Sequence, residues 1–94
     1  MTPMEHLTPH GHTVYQLAAG LLLVFKPRGH HEVVHTHVNG QRLRVLRGRL
    51  RVETDGAHVV LDTAAPLLAL APEQPHATLA LDDTWVVAET AGAG

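Results

Sequence analysis

The sequence predicts an all-β sandwich or barrel, and three observations carry that expectation. Turn signals recur about every 7 to 12 residues, the segments between them are short and aliphatic, and two separate turns place the same residues on one inside face. The turn signals are Gly20, Lys26-Pro27-Arg28-Gly29, Asn39-Gly40, Arg47-Gly48, Asp55-Gly56, Ala65-Pro66, residues 72–75 and Asp82-Asp83. They leave no room for a long helix. A chain of 94 residues holds one domain. Residues 1–12, with two prolines, a glycine and no periodicity, read as an N-terminal arm, residues 13–90 as the barrel, and residues 91–94 as a frayed tail.

The middle of the chain allows a register to be written down. With Arg47-Gly48 as a two-residue hairpin loop, Val45 opposes Leu50 and Leu43 opposes Val52. With Asp55-Gly56 as the next turn, Val52 opposes Val59 and Leu50 opposes Leu61, while Arg49 meets Asp62 and Glu53 meets His58 on the other face. The expected result is a three-stranded meander from about Gln41 to Asp62, with Leu43, Val45, Leu50, Val52, Val59 and Leu61 inside. Arg42, Arg44, Arg47, Arg49 and Arg51 then form a solvated outer face, on which Arg44 opposes Arg51. The apolar run over residues 17–25 is too short to span a bilayer and follows no Lys or Arg, so it reads as buried strand, with no membrane contact expected.

Hydrophobic residues make up 45% of the chain but only three are aromatic, so the core must be aliphatic and small. Such a core gains from burying an apolar face in a homodimer, and Trp85 is expected in the core or at that interface. Net charge is −2 and no basic run appears, which argues against a nucleic-acid partner. Cysteine is absent. Any metal site must therefore use histidine and oxygen ligands, and a reducing, cytoplasmic location is expected.

Nine histidines make the composition unusual. His35-Thr36-His37 in a β-rich context sends two imidazoles from one face of a strand, a chelating arrangement. A three-residue loop at Val38-Asn39-Gly40, with Gly40 left-handed, would set Gln41 opposite His37 on that face. A two-residue Asn39-Gly40 turn would send Gln41 the other way; the three-residue loop is preferred because it keeps Leu43 and Val45 on the histidine side. His31 shares the alternation of His35 and His37 and so is a candidate for the pocket mouth, against a favoured reading as an exposed residue at the strand start. His6, His10 and His12 are read as part of the arm in preference to a second surface metal site, and His58 as solvent-facing.

Gly29, His35-Thr36-His37, Gln41 and Gly48 follow the spacing of the first cupin motif, and the chain resembles the cupin family there. Pro72-Glu73-Gln74-Pro75-His76 is similar to the second motif, although the usual glycine is missing and Ala80 stands at the asparagine position. The resemblance implies a small antiparallel jelly-roll β-barrel. It also implies one divalent transition metal (Fe, Mn, Ni, Cu or Zn) on His35, His37 and His76. Gln41 stands where the family has glutamate, as a weak ligand or a partner one shell out. The implied function is metal-dependent action on a small, anionic molecule, of oxygenase-type oxidoreductase or isomerase class. The alternative is a non-catalytic metal-binding or small-ligand regulatory module. No residue stands out as a dedicated nucleophile, so no catalytic side chain is assigned.

Overall fold

A computed structural model describes residues 4–7 as backbone and residues 12–90 in full. Ten strands run in order: β1 Met4–Leu7, β2 Thr13–Ala18, β3 Leu21–Lys26, β4 His31–His35, β5 Gln41–Arg47, β6 Leu50–Thr54, β7 Ala57–Leu61, β8 Leu67–Leu70, β9 His76–Ala80 and β10 Thr84–Thr90. The described residues include no helix, and so none able to cross a membrane. Two antiparallel sheets form, one of six strands in the order β1-β2-β3-β10-β5-β8 and one of four in the order β4-β9-β6-β7. The core lies between them. Leu43, Val45, Val86 and Ala88 from the larger sheet pack with Leu50, Val52, Leu61 and Ala80 from the smaller, a two-layer solution in which every second residue faces inward.

The Asp55-Gly56 hairpin forms as its sequence dictates. Both residues have positive φ, 54° and 73°, the conformation a two-residue hairpin turn needs. Val52 pairs with Val59, Leu50 with Leu61 and Glu53 with His58. The Arg47-Gly48 hairpin does not form. β5 pairs with β10 and β8, and β6 with β7 and β9, so Gly48 is a corner at which the chain passes from one sheet to the other. Its φ is +90°, and a Cβ there would collide with the Asp83 carbonyl and Thr84. The buried Thr84 hydroxyl secures the corner, donating to the Arg49 carbonyl (2.9 Å) and accepting from the Arg49 N–H (3.2 Å).

Leu43 and Val45 thus meet Leu50 and Val52 across the core instead of beside them. Alternation identifies which side chains go inward, but not which strand lies alongside. Val59 is the exception, 40% exposed, because β7 is an edge strand and the core cluster reaches it only at Leu61. Arg44 and Arg51 lie in different sheets and do not oppose one another. Arg49 pairs with Asp82 (2.6 Å) in place of Asp62, and no arginine lines the central cavity.

Two further expectations change, and that for Trp85, core or dimer interface, loses its first option. The apolar run 17–25 is two strands, split by a turn at Ala19-Gly20, where Gly20 has φ 72°. The arm is ordered in part: Met4–Leu7 pairs with Thr13–Gln16 as an edge strand, which satisfies backbone groups a free arm would leave to water. Trp85 is not in the core. It lies against Phe25 (ring centroids 4.9 Å apart) and Tyr15 (6.1 Å) on the outer face of the six-stranded sheet, because its neighbours Val24 and Val86 take the inward positions. His10, the His6 side chain and the tail at 91–94 lie outside the described residues.

Candidate metal centre

His35 ends β4, His37 lies in the connection to β5, and His76 begins β9 directly opposite His35. Their ring centroids are 4.4 to 5.2 Å apart, and one nitrogen from each falls within 4.8 Å of the others. Two of the rings are oriented by the backbone. His35 Nδ1–H donates to the Val33 carbonyl (2.7 Å) and His76 Nδ1–H to the Gln74 carbonyl (2.9 Å). A carbonyl can only accept, so in the neutral rings the proton sits on Nδ1 and Nε2 is the nitrogen left to ligate. Burial pushes the His37 and His76 pKa values below the usual histidine range, with neighbouring histidines adding to the effect. Neutral imidazole is the ligating form.

The link between the two histidine loops is a bond from Glu73 N–H to the His37 carbonyl (2.8 Å). Residues 36–40 are a crossing between sheets and not a hairpin, since β4 pairs with β9 alone. Gly40 is not among the positive-φ glycines. Gln41 nevertheless lines the same cavity as the three histidines, brought there by the crossing and not by cross-strand register.

The cavity, about 290 Å³, is walled mainly by aliphatic side chains of both sheets, small for a ligand site. A second polar group opens onto it. Glu32 Oε1 accepts from the Lys26 ammonium (3.0 Å) and lies 3.1 Å from His12 Nδ1 and 3.5 Å from His30 Nε2. Lys26 also donates to the Thr78 hydroxyl (3.3 Å), and His12 and His30 are 3.0 Å apart. Burial pulls the Glu32 pKa up, but the charge and hydrogen bond of Lys26, aided by His12 and His30, outweigh it and hold the carboxyl at about 2.

From the sequence Lys26 was expected in a turn, His30 and Glu32 at a strand start, and His12 in the arm, with a surface metal site shared with His6 and His10 as the disfavoured alternative. The cause of the difference is a bulge in β4. Glu32 pairs with Thr78 and His35 with His76, so three steps along β4 match two along β9. Val33 and Val34 are consequently both exposed, Glu32 comes onto the face of His35, and His31 turns outward. His31 therefore does not reach the pocket mouth; it is exposed beside Arg51 and Glu53. Two adjacent valines where a half-buried strand should alternate were the available signal.

No family model matches the sequence, and no curated protein matches it. Solved structures do. KdgF from Halomonas sp. superposes with TM-score 0.70 at 20% identity, over 94% of this chain and 83% of that one. An RmlC-like cupin from Shewanella frigidimarina gives 0.65 at 18%, over 96% and 94%. The Drosophila melanogaster CENP-C structure bound to CAL1 gives 0.78 at 14%, over 95% and 80%. At these identities the likeness establishes architecture. The chain has the cupin fold, an antiparallel jelly-roll β-barrel whose cavity gathers His35, His37 and His76.

Proposed function

We propose that the protein holds one divalent transition metal ion on His35, His37 and His76 and acts there on a small anionic molecule. The observation that supports this most is the pair of backbone carbonyls that fix both outer rings with Nε2 turned to the shared space. A bound ion would supply Lewis-acid or redox chemistry at its open positions. The chain's part is to fix three neutral nitrogens, exclude bulk water with aliphatic walls and limit ligand size. Lys26 and Glu32 cancel in charge, and Gln41 is neutral, so the ion's charge favours an anion in the cavity. Gln41, which lines the cavity, would serve as a weak ligand or as a hydrogen-bond partner of what the ion holds. Oxygenase-type oxidation is the reaction class to test first, isomerisation next.

Elemental analysis of protein purified without a histidine tag, followed by titration with Zn²⁺ and Co²⁺, tests the site. The His76→Ala variant should bind at least about tenfold more weakly than wild type; equal binding by the two proteins would remove the metal site. Oxygen uptake with small acidic compounds then separates an enzyme from the alternative, a non-catalytic binding module. The structure of CENP-C bound to CAL1 is one match in which this fold is bound to another protein.

A homodimer belongs to the same proposal. The aromatic cluster of Tyr15, Phe25 and Trp85 on the outer sheet face is the surface a second copy would cover. Sedimentation should give a dimer that Trp85→Lys converts to monomer; a monomeric wild type at high micromolar concentration would refute it.

A further inference from the structure

We propose that Glu32 is the carboxylate of the metal centre, facing the ion at His35, His37 and His76 through a metal-bound water while Lys26 holds its other oxygen. This rests on the three-histidine reading above and adds a residue to it from a part of the chain that the first motif's ligand spacing does not include.

The two carboxylate oxygens have different surroundings. Oε1 collects Lys26, His12 and His30. Oε2 is turned to His35, 3.7 Å from Nε2. With His35 Nδ1–H donated to the Val33 carbonyl, the neutral ring presents a lone pair at Nε2, and a lone pair facing a carboxylate oxygen is repulsive unless a proton, an ion or a donor lies between. An ion accepting the lone pair and carrying a water that donates to Oε2 meets both needs. Glu32 groups with His12 and His30 and not with the three histidines, which argues for contact through water over direct ligation.

His12, His30 and Glu32 also lie within reach of a common ion, but a cation is already beside the carboxylate. The Lys26 ammonium already takes the place of a cation on Glu32 Oε1, 3.0 Å away. That ammonium also competes with the metal centre for the carboxylate's charge, so Lys26 sets how strongly Glu32 acts. Gln41, occupying the position of the family's acidic ligand, leaves the centre without a carboxylate from β5, and the bulged β4 brings one to it.

The test is titration with CoCl₂, read by calorimetry and by visible absorption, on wild type and the variants His76→Ala, Lys26→Met, Glu32→Gln and Lys26→Met/Glu32→Gln. Lys26→Met should bind Co²⁺ more tightly than wild type, and Glu32→Gln about tenfold more weakly. The double variant leaves no buried charge unpaired, so it guards against misfolding of the single ones. If only net charge mattered it would match wild type; a specific Glu32 contact makes it bind about tenfold more weakly as well. A double variant within twofold of wild type overturns the role of Glu32, provided His76→Ala still abolishes tight binding. Equal binding by wild type and His76→Ala, or none by either, overturns the three-histidine site and this inference with it.

Discussion

Leu50→Ala should destabilise the metal-free protein by about 3 to 5 kcal/mol. Leu50 is fully buried, lies between Leu61 and Ala80 in the sheet, and packs into the cluster that joins the two layers. It also lines the central cavity, so truncation enlarges an existing space that the barrel cannot easily collapse. A domain of 94 residues has roughly 5 to 14 kcal/mol of stability in all, so the variant should lose at least about 12 °C in thermal midpoint. Urea and thermal melts of wild type and variant provide the check. A loss below about 1 kcal/mol would show that the sheets do not pack around this residue.

Acid should act on the molecule through Glu32. Its folded pKa, about 2, lies below the ordinary value of 4.5, so the unfolded chain binds more protons in the interval between. Stability associated with the charged carboxylate is fully present above pH 4.5 and is lost as pH falls towards 2. The shift corresponds to about 3 kcal/mol, a magnitude that survives because the side chain is only 15% exposed. Glu32→Gln lacks this titration and leaves Lys26 buried without its carboxylate, so it should be the less stable protein at neutral pH. Urea midpoints measured from pH 7 to 2 should show the two proteins converging below pH 4.5. Parallel curves over that range would mean Glu32 is not engaged by Lys26.

What was legible in the sequence was mostly local. Asp55-Gly56 demands one backbone geometry, and the β6–β7 register followed from it residue by residue. The proximity of His35 and His37 needed no more than two positions on one short segment. Arg47-Gly48 was ambiguous because a glycine with positive φ serves equally at a hairpin tip and at a corner between sheets; what separates the two is distant in sequence, the pairing of β5 with β10 and the Thr84 hydroxyl, 35 positions away from Arg49. His76 was reached by resemblance of its proline-flanked turn, not by chemistry. Lys26, Glu32, His12 and His30 were out of reach, since their meeting depends on a bulge and on β2, β3 and β9 being assembled around them.

The extra residue in β4 also bears on how sequences of this architecture should be compared. A motif written as a glycine, a fixed count and a histidine pair records chain length, whereas the pocket responds to side-chain direction. With Val33 and Val34 sharing one step of the strand, the five positions between Gly29 and His35 carry the inward phase of four. A homologue one residue shorter at that spot would keep its glutamate facing inward with a regular strand. One of equal length without the bulge would present position 33 opposite Thr78 instead, with position 31 next on that face. An alignment gap placed between Glu32 and His35 is therefore silent for the cavity, while a gapless match across the same columns can hide an exchange of the carboxylate for the side chain one position on, here Val33.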